Sequence, residues 1–290
     1  MTGASGFTGR WLIRELASRG LQPTSLSLVE DRPPAPETAI DIRDLGNLIS
    51  AIKRMRPKAV IHLAAISYVA HDNNQDFWNV NVEGTRNLLR ALKESDSQAE
   101  AVIIASSANV YGNSAAGRIS EREPPRPANT YAESKLAMEE MALEWVDSLP
   151  ITLVRPFNYT GVGQAEHFLV PKIIKHFRER APKIELGNLD VARDFSDVRD
   201  VAKIYADLLK ARPSGETVNI CSGKTYTLES ILEICSELTG HCPNVEINPD
   251  LIRDNEVKSL CGDPSKLQAL IGDIDRHPFR NTLEWMLQNP

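Results

Sequence analysis

Tyr131 and Lys135 stand four residues apart in the stretch Asn129-Thr-Tyr-Ala-Glu-Ser-Lys135. On a helix that spacing places both side chains on one face, a turn from each other. A phenol is a poor proton donor or acceptor at neutral pH, because its unperturbed pKa is about 10. A neighbouring ammonium favours the phenolate and is expected to bring that pKa down, which makes general acid–base chemistry feasible. A surface tyrosine beside an unrelated lysine has the same spacing, so the pair takes its meaning from the motifs around it. Ser106 and Ser107 close the apolar run Ala101-Val-Ile-Ile-Ala105. A hydroxyl at that strand end would face the start of a helix at Tyr131, although a serine there also caps its own backbone.

The elements that must position these groups can be read from periodicity. Gly3, Gly6 and Gly9 precede an amphipathic segment over 10–19. They fit a tight turn into a helix, where free N–H groups and the helix dipole favour a pyrophosphate. Such a turn should follow a buried strand, yet only Met1 and Thr2 come before it. The sequence therefore leads one to expect a sheet without its central strand and an incomplete N-terminus, since missing pairing leaves backbone groups unsatisfied. A strand over 25–29 ends at Glu30-Asp31-Arg32; an acid there suits NAD and an arginine suits NADP, so the cofactor choice stays open. Pro-rich 32–36 reads as a loop.

Helices are expected over 45–55, 80–93, 131–145, 170–180, 198–210 and 228–239, and buried strands over 60–65, 101–107, 151–154 and 218–220. Their alternation predicts an α/β fold with a doubly wound, Rossmann-type parallel sheet. The predicted dinucleotide-binding domain covers 1–157, with 190–220 returning to it. Residues 158–290 form mainly a smaller, discontinuous substrate lobe.

The 290 residues carry a net charge of −6, with 42% hydrophobic and 25% charged side chains. No basic field argues for nucleic acid or a membrane surface, so an anionic ligand needs a locally basic pocket. No apolar run reaches the length of a membrane span, and the first residues do not read as a signal peptide. Cys221, Cys235, Cys242 and Cys261 lack Cys-x-x-Cys pairing, and the six histidines lack ligand spacing, so no metal site is expected. The thiols read as reduced, in a cytoplasmic protein. His62, inside Ala59-Val-Ile-His-Leu63, reads as structural.

The glycine motif, Asp41-Ile42, Leu63-Ala-Ala65, Ser107 and Tyr131-x-x-x-Lys135 together resemble the extended short-chain dehydrogenase/reductases, most of which act on nucleotide sugars. Phe157-Asn158-Tyr-Thr-Gly161-Val-Gly163-Gln164 resembles that group's Phe-Asn-x-x-Gly-Pro-Gly-Gln loop, with Val162 in place of proline. Leu186-Gly-Asn-Leu-Asp-Val-Ala-Arg193-Asp194-Phe and Arg253-Asp-Asn-Glu256-Val are similar to segments of GDP-mannose 4,6-dehydratases and GDP-4-dehydro-6-deoxy-D-mannose reductases, with Asp254 where proline is usual. The resemblance runs from Thr2 to about Lys266. It implies that Gly3, Gly6, Phe7, Gly9, Leu63, Ala64 and Ala65 surround NADP(H) or NAD(H), and that Asp41 and Ile42 border the adenine. It implies Ser107 on the sugar oxygen at the reacting carbon, Lys135 on the nicotinamide ribose and Asn158 on the substrate. Arg193 and Arg253 would hold the diphosphate of a GDP-sugar, and Glu256 its ribose; arginine's planar fork suits phosphate. Relatives form homodimers through a four-helix bundle, here over 80–93 and 131–145. The apolar Leu136, Met141 and Trp145 suit that interface, and suit core packing equally.

The residues after Ser107 separate activities. A 4,6-dehydratase removes a proton at C5 and protonates the leaving hydroxyl at C6, and such enzymes carry an acid one or two places after the catalytic hydroxyl residue. Ala108 and Asn109 occupy those places, and neither is a general base. Reduction of a 4-keto group needs hydride, a proton from Tyr131 and Ser107 to orient the carbonyl. The expected activity is reduction of GDP-4-dehydro-6-deoxy-D-mannose to GDP-6-deoxy-D-mannose (GDP-D-rhamnose). The alternatives are another nucleotide-sugar 4-epimerase or reductase, a GDP-mannose 4,6-dehydratase, and a non-catalytic dinucleotide sensor, which would dispense with Tyr131 or Lys135.

Overall fold

Val102, Ile103 and Ile104 have no exposed surface, because helices cover both faces of their strand, as an unbroken apolar run requires. The computed structural model describes residues 1–27, 37–67, 73–112, 117–252 and 258–289. The first part of the chain forms α1 (Phe7–Ser18), β1 (Ser25–Ser27), β2 (Glu37–Ala39), α2 (Leu45–Met55), β3 (Ala59–His62), α3 (Asn74–Phe77), α4 (Thr85–Glu94) and β4 (Ala101–Ala105). It continues through β5 (Arg118–Ile119), α5 (Thr130–Leu143), β6 (Ile151–Pro156), β7 (Asn158–Thr160), α6 (Leu169–Arg178), β8 (Lys183–Leu186), β9 (Ala192–Asp197) and α7 (Val198–Ala211). The rest is β10 (Thr217–Ile220), β11 (Thr225–Thr227), α8 (Leu228–Thr239), β12 (Asn244–Ile247), β13 (Ser259–Gly262), α9 (Ser265–Ile271) and α10 (Phe279–Gln288).

As expected, no strand precedes the glycine turn among the described residues, and the chain joins β1 and β3 there only through isolated bridges. Thr2 bridges Leu26 on one side and His62 on the other, both in parallel. Met1 O accepts from Leu26 N at 2.7 Å, Thr2 N donates to Ile61 O at 3.0 Å and Leu63 N to Thr2 O at 3.3 Å. The parallel order is β2-β1-Thr2-β3-β4-β6-β10. Helix α1 buries Gly9, Leu12, Ile13 and Leu16, the i, i+3, i+4, i+7 stripe of a helix lying on a core. Leu12 and Leu16 pack with Val201, Ile204 and Leu208 of α7.

Beyond β6 the chain builds smaller sheets. One has the order β11-β9-β13-β5 with β7 also on β9, and the other pairs β12 with β8. A separate core gathers Ile173, Phe177, Ile184, Ile231 and Leu283. Of these strands, periodicity revealed none in advance: each is short and half-covered, and pairs with partners far along the chain.

The helix expected over 80–93 is interrupted. A π-helical stretch, Trp78–Gly84, joins α3 to α4, and its wider turn holds Asn81 inward, paired with Ile66 N (2.9 Å) and Ile66 O (3.3 Å). Met141 and Trp145 pack within the subunit core, and Leu136 against the small cluster around Tyr111. No described helix is long and apolar enough to cross a membrane.

Helix α5 turns polar groups inward, and these must be paired. Glu139, 2% exposed, receives a forked pair from Arg155 of β6, with Nη2–Oε2 at 2.5 Å. Arg155 also donates to Tyr111 OH (3.0 Å), which donates to Asn219 Oδ1 of β10 (2.8 Å). The cluster ties α5, β6, β10 and the turn after Ser107 together. Arg155→Met is expected to lower unfolding free energy by ~3–5 kcal/mol by stranding a buried carboxylate. Denaturant melts should show the Glu139→Gln, Arg155→Met double variant recovering much of that loss.

Candidate active site

A cavity of about 680 Å³ lies beyond the carboxyl ends of the parallel strands, where open α/β sheets bind ligands. One end is the glycine turn. Gly3 has φ +66°, and a Cβ on it would lie 2.6 Å from Ala64 N; a Cβ on Gly9 would lie 2.3 Å from Gly3 O. Bare backbone is required at both places. No side chain caps α1, whereas Asp44, Asn129 and Asp197 cap α2, α5 and α7. The first-turn N–H groups of α1 are thus left facing the cavity. Ser5 and Ser27 hydroxyls meet at 3.0 Å beside it.

Asp41, Ile42 and Arg43 form the neighbouring wall. Arg43 grips Asp41 through Nε–Oδ2 (2.9 Å) and Nη2–Oδ2 (2.6 Å), and this hydrogen bonding holds the Asp41 carboxyl below its ordinary value. Leu63, Ala64 and Ala65 continue the wall. A turn that only backbone can fill, an uncapped helix start and an apolar channel ending at an acid and an arginine fit a dinucleotide.

The other end holds the reactive groups. Asn129 caps α5 by accepting from Ala132 N at 2.9 Å, which fixes where Tyr131 and Lys135 emerge. Both are buried, at 6% and 4% exposure, yet both line the cavity with Ser107. Burial pushes the Tyr131 phenol up to about 12, partly opposed by its hydrogen bond with Ser107. The phenol thus stands above its ordinary value, raised by burial, where its spacing from Lys135 led one to expect it lowered. Lys135 is itself drawn down to about 8 by burial, with Glu139 opposing, and its Nζ donates to Ala105 O at 2.8 Å. A neutral phenol beside an ammonium is a site set to donate protons.

His62 is structural, as its setting in an apolar strand suggested. Its ring bridges Thr2 Oγ1 (2.6 Å) and Thr85 Oγ1 (2.9 Å), and burial takes it down to about 3. It is neutral at physiological pH.

Every described cofactor-side residue expected from sequence lines the cavity, as does Asn158. Arg193 does not: it lies on β9 opposite Leu260 and donates to Ala192 O (3.0 Å) and Lys258 O (3.4 Å). Arg253, Glu256 and the 30–32 segment lie outside the described residues. Sequence reasoning missed Tyr159, Phe168 and Tyr205 on the cavity wall. Tyr159 stood within the recognised loop and stacks on Phe7 (6.1 Å), its hydroxyl 2.7 Å from Thr8 Oγ1. Tyr205 had no signal beyond its place on an apolar helical stripe.

Known proteins agree with this geometry. The chain is 34% identical over 290 residues to the GDP-6-deoxy-D-talose 4-dehydrogenase of Aggregatibacter actinomycetemcomitans, covering 100% of this chain and 96% of that one. It is 32% identical over 283 residues to the GDP-6-deoxy-D-mannose reductase of Pseudomonas aeruginosa, covering 94% and 90%. The structure of RMD from Pseudomonas aeruginosa complexed with NADPH superimposes with a TM-score of 0.85 at 29% identity, covering 99% and 96%. Residues 1–221 match the NAD dependent epimerase/dehydratase family. With the turn, the parallel sheet and the Ser107–Tyr131–Lys135 wall in place, the chain belongs to that family.

Proposed function

We propose that this protein is an NAD(P)-dependent nucleotide-sugar oxidoreductase that reduces the 4-keto group of GDP-4-dehydro-6-deoxy-D-mannose to give GDP-6-deoxy-D-mannose. The observation that carries the reading is the convergence of Ser107, Tyr131 and Lys135 on one wall of a dinucleotide-shaped cavity, with Ala108 and Asn109 where a dehydratase needs an acid. NADPH or NADH, when bound, supplies the hydride. The glycine turn and the α1 N-terminus hold its pyrophosphate. Arg43, half-exposed on the wall beside Asp41, adds positive charge where a ribose phosphate would lie, which favours NADP(H) over NAD(H). Ser107 orients the ketone, Tyr131 gives its proton to the forming alkoxide, and the Lys135 charge steadies the phenolate left behind.

A second reading is favoured by the talose-named relative. GDP-6-deoxy-D-talose and GDP-6-deoxy-D-mannose differ only at C4, so one 4-keto sugar gives either, according to the face that receives hydride. The test is absorbance at 340 nm with the keto-sugar and each reduced cofactor, followed by proton NMR of the product. Cofactor oxidation and a manno H-4 coupling are expected. A talo coupling would move the reading to the epimeric product, and no oxidation with either cofactor would overturn both.

A further inference from the structure

Asn109 is a polar group on the cavity wall to which the proposed reduction assigns no part; a role for it rests on that reading and deepens it. Its backbone N–H and its side-chain Nδ2 both donate to Ser107 Oγ, each at 3.2 Å. A serine oxygen has two lone pairs and one proton. With both lone pairs occupied from Asn109, that proton is directed away from residue 109. Ser107 and Tyr131 line the same cavity, so the remaining direction is toward the space they share, where a ketone oxygen must sit. Ser107 also caps the short turn Ala108–Tyr111, with extended φ −158° and ψ 145°. The backbone N–H bond therefore persists in any residue-109 variant, and only the side chain can be varied independently.

We propose that Asn109 is a positioning residue that fixes the Ser107 hydroxyl as a donor to the sugar ketone. The amide is then a determinant of reaction type and more than the absence of a dehydratase acid. A carboxylate of the same shape can only accept. It would take the Ser107 proton for itself and turn a serine lone pair toward the ketone oxygen, which gathers negative charge as hydride arrives. An amide at 109 and an acid at 109 thus set the neighbouring serine in opposite senses.

The experiment uses the full chain and four variants: Asn109→Ala, Asn109→Asp, Ser107→Ala and the Ser107→Ala, Asn109→Ala double. Losing one donor to a developing oxyanion costs about 10²–10³ in kcat. The Ser107→Ala variant should show that loss, Asn109→Asp about a hundred-fold loss, and Asn109→Ala only about ten-fold, because a freed serine still donates part of the time. The KM for sugar and the Kd for cofactor should hold steady. The double variant should be no slower than Ser107→Ala alone. A purely space-filling residue gives the reverse order, with the isosteric aspartate milder than alanine. That order, or losses at 107 and 109 that multiply, would overturn the proposal. The same four proteins give a substrate-free arm: the Tm losses of Ser107→Ala and Asn109→Ala should fail to add in the double, and strict additivity would show that the side chains are uncoupled. An inactive wild type would sink the functional reading, and the thermal cycle would still decide the Ser107–Asn109 contact.

Discussion

Replacing Tyr131 by phenylalanine is expected to lower kcat by about 10³, within the range for loss of a general acid, while reduced dinucleotide still binds. The ring stays where it is, edge-on to Phe77 with centroids 5.8 Å apart, so the variant loses a hydroxyl and little else. That hydroxyl is held protonated: burial takes it to about 12, so it carries its proton across the whole working pH range. Steady-state turnover at 340 nm and a fluorescence titration of reduced cofactor make the comparison. Turnover within about ten-fold of wild type would mean that another group supplies the proton. Loss of cofactor binding would mean that the phenol holds the site open instead of serving it.

The second large effect is expected at Lys135. Lys135→Met should lower kcat by about 10²–10³, because it removes the positive charge that α5 fixes one turn from the phenol, pinned to Ala105 O. Burial has brought that ammonium from 10.5 to about 8, which gives the wild type a pH signature. Reduction should slow as pH climbs through about 8, where Lys135 loses its charge, and the methionine variant should lack that limb. Stability moves the other way. A buried lysine that gives up its proton sooner when folded than when unfolded is penalised below about pH 8, and the penalty is relieved between about 8 and 10.5. Falling turnover together with constant or rising Tm in that window identifies loss of charge and excludes unfolding. A wild-type rate that stays flat to pH 10 would refute the assignment.

Both effects sit on residues that the sequence exposes, and the reason is local. The Tyr131–Lys135 spacing is set by helix geometry within one turn, and the helix start is set by Asn129 three residues upstream of Ala132. The glycine turn is legible for the same reason: Gly3 and Gly9 answer to backbone contacts within a few residues of each other and to one neighbouring strand end. Continuous apolar runs announce strands covered on both faces, so β3 and β4 were legible too, as were the shorter and more mixed β6 and β10.

What stayed hidden depends on contacts between distant segments. Met1 and Thr2 form no strand, as their number led one to expect, but the sequence does not show that they still pair with Leu26, Ile61 and Leu63 between β1 and β3. The phenol's proton affinity could not be read from the adjacent lysine, because it is set mainly by how deeply the packed fold buries the ring. The pairing of β9 places Arg193 beside Ala192 and Lys258, to whose carbonyls it donates, contacts that its motif does not show.

The sequence by itself determined the class of chemistry: glycines at a turn, a serine at a strand end, and a tyrosine and lysine one helical turn apart, all of them local patterns. Tertiary structure alone decided the protonation states and the direction of the Ser107 proton. Those depend on desolvation and on which donors the packed chain brings to each oxygen.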